Sequence, residues 1–143
     1  MEAICMTGML LHMSIEDIKK KTVPVIPMML WGIAGVILHL YFGRISYAGM
    51  ASGLIPGACA YVLSIATHEK IGKGDALLLI VTGIYMGFWG NVFMLWIGMI
   101  LAAIGGVVAM VMFNKNKNHE LPFVPFLFAG FLIVMFCNGG MPT

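Results

Sequence analysis

Long apolar stretches separated by brief polar breaks run through the whole chain. Taken in order, they predict apolar helices over residues 3–18, 25–42, 48–67, 75–87, 91–113 and 121–137. A helix crosses the hydrocarbon core of a bilayer, ~30 Å thick, with about 20 predominantly apolar residues. Strands of a membrane barrel would alternate apolar and polar positions instead, and these unbroken runs do not. The predicted fold class is therefore all-α integral membrane. It is a compact bundle of six transmembrane helices, read as one domain over residues 1–143 and surrounded by a lipid bilayer. The breaks have local causes. Val23-Pro24 ends the first helix, because a residue preceding proline disfavours the helical region. Gly43-Arg44-Ile45-Ser46 reads as a turn between two interfacial anchors, Tyr41 and Tyr47. Residues 68–74 and 114–120 read as polar loops. Lysines follow the first apolar run and none precedes it, the reverse of a cleavable signal peptide, so this run is expected to stay as the first span.

Composition strengthens that picture and charge orients it. The 143 residues are 61% hydrophobic and only 10% charged, with a mean hydropathy of +0.99. A soluble domain of this size has too little interior to hide so much apolar surface. Lys19, Lys20, Lys21, Lys70, Lys73, Lys115 and Lys117 fall in the first, third and fifth loops, and Arg44 stands alone in the second. The positive-inside rule then puts the odd-numbered loops in the cytoplasm and both termini outside. In this setting the lysine clusters point to a membrane orientation and not to a nucleic-acid partner. Five of the six acids, Glu16, Asp17, Glu69, Asp75 and Glu120, lie on the cytoplasmic side, and none is expected on the outer half of a span.

Several residue types read as packing. Cys5, Cys59 and Cys137 are isolated, with neither a zinc-site spacing nor a disulfide framework, and no metal site or cofactor is expected. Gly49, Gly53 and Gly57 recur every four residues, as do Gly83 and Gly87, a spacing that lets membrane helices approach closely. The fourteen methionines read as fillers of irregular space. His39 is expected mid-span as a hydrogen-bonded packing residue, and His12 one turn before Asp17 as packing or as a group facing the site. His68 and His119 are loop residues without metal spacing.

Asp17 and Asp75 carry the chemistry. A carboxylate at the edge of hydrocarbon is costly and is usually kept for a function. If the lysines after it reach the headgroups, Asp17 sits about one turn inside the interface. Asp75 follows Gly72-Lys73-Gly74, whose glycines permit unusual backbone angles and let an extended peptide lie close. Brought together, two such groups cannot both ionise cheaply, so the pair is expected to hold one proton. One carboxylate then activates water and the other donates a proton, as in aspartic proteases. Each acid also has a plainer reading: Asp75 as a helix N-cap, Asp17 as a neutraliser of its lysines. Glu16 and Glu69 are alternative working acids.

The segment from Asp17 through Ile18-Lys19-Lys20-Lys21-Thr22-Val23 to Pro24 resembles the first motif of type IV prepilin peptidases, Asp-x-Arg/Lys-x-x-x-Ile/Val-Pro. Glu69-Lys70-Ile71-Gly72-Lys73-Gly74-Asp75 is similar to the second, Gly-x-Gly-Asp with a glutamate six residues earlier. Leu121-Pro122-Phe123-Val124-Pro125-Phe126 with Gly130 resembles the late Pro-Phe-x-Pro-Phe segment. The resemblance implies a membrane aspartic endopeptidase of the bacterial cytoplasmic membrane. It would remove the basic leader of a pilin or pseudopilin precursor just before the precursor's hydrophobic helix. Asp17 and Asp75 would be catalytic, with Glu69, Gly72, Lys73 and Gly74 shaping the site beside Pro122, Phe123 and Pro125. Longer members carry an extra cytoplasmic portion, often with paired cysteines, and methylate the new terminus. Those features are missing here, so no methyltransferase activity is expected, and the short form resembles the peptidases of tight-adherence (Flp-type) pili. Val25 replaces the family's asparagine after the proline, and Leu77 replaces a lysine two residues after the second aspartate. Two other readings compete: a non-catalytic membrane assembly subunit, and a small transporter whose acids bind protons or cations.

Overall fold

The computed structural model describes residues 2–42, 46–68, 72–113 and 122–139. Arg44, Glu69, Lys70, His119 and Glu120 lie outside the described residues. The chain forms α1 (Glu2–Lys20), α2 (Val25–Phe42), α3 (Tyr47–Ala66), α4 (Lys73–Phe113) and α5 (Val124–Cys137), with no strand among the described residues. Three stretches are long and apolar enough to cross a membrane: Val25–Phe42, Tyr47–Ala66 and Lys73–Val111. The helix over Val124–Cys137 is shorter.

Helix ends follow local chemistry. α1 stops where Lys21 adopts a left-handed φ of 52°, its N–H still bonded to the Asp17 carbonyl at 2.8 Å. Pro24 precedes α2 and its carbonyl accepts from Met28 at 3.3 Å. Ser46 caps α3 by accepting from the Gly49 N–H at 3.2 Å. Pro56 lies inside α3, which runs on past it. α5 starts later than the apolar run predicts, because Pro122 and Phe123 form its approach.

The fourth and fifth predicted spans form one segment, α4, interrupted at a single residue. Gly87 has φ 68° and ψ −170°, values that favour glycine. The Asn91 side-chain amide donates to the Leu79 carbonyl at 2.8 Å. Twelve residues of straight helix would hold those groups ~18 Å apart, so the chain doubles back at Gly87. Residues 73–86 and 88–113 are thus two limbs, and the break expected over residues 88–90 shrinks to one glycine.

The limbs are tied to α3 by a buried polar node. Asn91 also donates to the Gly53 carbonyl at 3.1 Å, and the Thr82 hydroxyl donates to the Asn91 side-chain oxygen at 2.9 Å. Both side chains are fully buried. Around the node the glycine spacing works as packing: a Cβ on Gly53 or Gly83 would overlap the other's carbonyl, and one on Gly57 would overlap Ile80. In lipid, where no water drives helices together, this close approach supplies the attraction. Gly35 of α2 lies flat against the Tyr85 ring, and Gly130 of α5 against the Met94 carbonyl.

α1 packs one face into the bundle and leaves the other, with Ile4, Leu11, Ile15 and Ile18, exposed. Its inner face, Met6, Met9, Leu10 and Met13, is wholly buried against α2, α4 and α5. Two expectations need correction. His39 lies in the last turn of α2, not mid-span, where it is buried with its ring edge-on to Tyr47 at 5.9 Å. The end of α1 far from Asp17 is not free of acid: α1 begins at Glu2, which is buried, with one carboxylate oxygen lacking a hydrogen-bond partner among the described residues. A composition-based span starting at residue 3 leaves that acid out, because a charge weighs against membrane burial.

Candidate active site

Where α1 ends and α4 begins, the structure opens a cavity of about 770 Å³. Asp17, Gly72, Lys73, Gly74, Asp75, Pro122 and Phe123 all line it, together with Lys21, Thr22, Val23, Val25, Tyr61 and Leu77. Pro125 does not line the cavity; it stands in the first turn of α5. Glu69 lies outside the described residues.

Asp17 is no surface neutraliser. It is 6% exposed, and its Oδ2 accepts from the backbone N–H of Val124, the first residue of α5, at 3.0 Å. The first N–H groups of a helix have no partner inside it, and a carboxylate is a natural acceptor for them. The Pro-Phe-x-Pro segment therefore delivers a donor to the acid ending α1. Lys20 pairs with Glu16 at 2.8 Å, which places Glu16 in a surface ion pair. His12 is exposed, on the Glu16 side of α1.

Asp75 is not a helix cap. Gly72 directly precedes α4 and its carbonyl accepts from Ala76 at 3.2 Å, so Asp75 stands three residues into the first turn. The two motif glycines have distinct jobs. A Cβ on Gly72 would come within 3.0 Å of Asp75 Oδ2, so glycine keeps room beside that oxygen. A Cβ on Gly74 would press to 2.9 Å from the Val23 Cβ, so glycine lets the start of α4 settle on the short link between α1 and α2. That contact joins the Asp17 and Asp75 segments. The Asp17 carboxylate is near enough to act on Asp75 electrostatically.

Tyr61, Thr22 and the Val124 N–H were not singled out from the sequence. Tyr61 is one of four tyrosines and nothing in its neighbours marks it. Thr22 sits inside the first motif at a variable position. A backbone N–H carries no side-chain signature, although a proline-flanked helix start after a polar loop is where free donors occur.

Comparison with known proteins agrees with the motifs. The type IV leader peptidase family matches residues 4–107. The chain is similar to the prepilin leader peptidase/N-methyltransferase of Aeromonas hydrophila, 25% identical over 93% of this chain and 48% of the relative. The corresponding protein of Aeromonas salmonicida (strain A449) matches to the same extent. The chain thus spans about half the length of the curated relatives it matches. No solved structure matches it significantly. With the family match covering most of its length, this integral membrane chain belongs to the type IV leader peptidase family.

Proposed function

We propose that this protein is an aspartic endopeptidase of the bacterial cytoplasmic membrane that cuts the basic leader from type IV pilin-like precursors at the cytoplasmic face. One observation carries the reading: two acids from separate segments, ending α1 and opening α4, face one cavity with the motif glycines packed between them. The accompanying topology has six crossings, counting the limbs of α4 separately, with both termini outside. The lysine distribution supports it.

In this mechanism the pair holds one proton. Oδ2 of Asp17 is occupied by the Val124 N–H, which leaves Oδ1 to accept a proton from water. The hydroxyl adds to the scissile carbonyl as Asp75 protonates its oxygen. As the C–N bond breaks, Asp17 passes the proton it took from water to the leaving amine, and Asp75 regains its proton from a hydroxyl of the gem-diol. The working form carries one proton per pair, so the cleavage rate should trace a bell against pH, with limbs belonging to the pair. A monotonic profile would exclude this scheme. Gly72 keeps the space beside the Asp75 carboxylate clear, and Lys73, Pro122 and Phe123 border the cavity that an extended peptide would enter. Pro125 sets the start of α5 and thereby the donor on Asp17.

The test is cleavage in vitro of leader peptides of varied sequence fused to a pilin helix. Wild type is expected to cut just before the hydrophobic helix, whereas Asp17→Asn and Asp75→Asn lose about 10²-fold or more yet still insert and fold. A non-catalytic assembly subunit would tolerate both changes. We further propose cleavage without methylation: a labelled methyl donor should leave the new terminus unlabelled. Buried Glu2 is the one observation favouring a transporter. It stands ~22 Å along α1 from Asp17, and the buried face between them includes Met6, Met9, Leu10 and Met13, which offer no proton path. Proton flux in sealed vesicles would decide that alternative.

A further inference from the structure

A second depression opens sideways between α2 and the first limb of α4. It holds about 480 Å³, and every lining residue is apolar or glycine. Leu77 lines both this groove and the aspartate cavity, so the two abut at that side chain. Gly32 and Val81 form its floor, and a Cβ on Gly32 would only just touch Val81 at 3.4 Å. Its rim is Met29, Ile33 and Ile37, which are 59%, 58% and 49% exposed. The groove is held open by fixed contacts: Gly35 seats on the Tyr85 ring, whose hydroxyl donates to the Trp31 carbonyl at 2.5 Å. Along α4 it extends from Leu77 to Ile84, ~10 Å of helix rise, or about two turns.

We infer that this groove seats the apolar helix of the precursor, entering laterally from the bilayer, with its amino-terminal end at Leu77. The inference rests on the peptidase reading above and adds where the substrate's membrane segment lies. An apolar helix docks by laying one face into an apolar groove. This groove ends at Leu77, which also lines the cavity holding both acids, so a helix lying in it presents the residues just before it to that cavity. A second apolar cleft of about 380 Å³, lined by Ala60, Leu63, Leu95 and Met99 among others, also reaches Asp75. On the first limb of α4 its wall ends at Leu79, one turn from Asp75, too short a run to register a helix.

The test compares kinetics and proximity in the full-length protein. Ile33→Trp fills the groove from a lipid-facing rim position. It is expected to raise KM for a helix-bearing precursor at least tenfold with kcat within a factor of two, while Ala60→Trp in the second cleft leaves KM unchanged. Proximity guards against a misfolded tryptophan variant. In a Cys5→Ala, Cys59→Ala, Cys137→Ala background made uncleaving by Asp75→Asn, Met29→Cys should cross-link to a precursor bearing one cysteine in the second turn of its apolar helix. Ile133→Cys on α5, also lipid-exposed, should not. Unchanged KM in folded Ile33→Trp, the KM effect falling on Ala60→Trp, or equal cross-linking from Met29→Cys and Ile133→Cys would each overturn the groove assignment. If wild type cleaves no precursor at all, the peptidase reading itself fails, a result distinct from these.

Discussion

Two polar regions of the bundle, the Gly87 fold and the mouth of α1 and α4, treat their buried groups differently. At the Gly87 fold, Thr82 and Asn91 are fully buried and their hydrogen-bonding groups are spent on each other and on the carbonyls of Gly53 and Leu79. At the mouth of α1 and α4, Asp17 has one oxygen held by the Val124 N–H while it and Asp75 face an open cavity. A polar group sealed in apolar surroundings is tolerated when its bonds are complete, and it then fixes the fold. A carboxylate left facing space has bonding capacity for something that arrives. Under the proposed function, the node belongs to architecture and the cavity to chemistry.

Crossed substitutions test that division. The largest effect expected is on activity: Asp17→Asn or Asp75→Asn should remove cleavage by about 10²-fold or more while leaving the unfolding midpoint within a few degrees of wild type. A variant that instead unfolds would make the acids structural. Next comes the glycine seam. Gly83→Ala drives a Cβ into the Gly53 carbonyl, an overpacking that should cost about 1–3 kcal/mol or more, read as a lowered midpoint in detergent. Asn91→Leu removes three hydrogen bonds at the node. Membrane hydrogen bonds average ~0.6 kcal/mol each, so a loss of about 2 kcal/mol is expected, with the specific activity of the folded fraction unchanged. Loss of activity without loss of stability in Asn91→Leu would erase the contrast. Smallest of all is Lys20→Ala. It removes a surface ion pair with Glu16, and neither cleavage nor unfolding should move measurably.

Seen from the sequence, the two regions were unequally legible. The cavity announced itself, because glycines beside an acid and a Val-Pro stop after another are local patterns with local causes. The node did not. Asn91 reads as the polar start of a span, and nothing in the sequence around Thr82 marks it as Asn91's partner. Gly53 and Gly83 were readable as packing positions, yet nothing in their spacing told which helix each would meet. Glu2 falls outside the first predicted span because its charge weighs against burial, yet in the fold it is buried.

Hydrophobic runs and their interruptions alone determined that this is a helical membrane protein, that α2 spans Val25–Phe42, and that the acids stand at helix ends. These are consequences of short-range chemistry: transfer of apolar side chains, proline sterics and backbone freedom at glycine. Only the tertiary structure decided that α4 folds back on itself, that Asp17 takes its donor from a residue 107 positions away, and that the Asp17 and Asp75 segments close on one cavity. Such contacts depend on which helix faces fit together. That is a property of the whole packed bundle, and no window of sequence contains it.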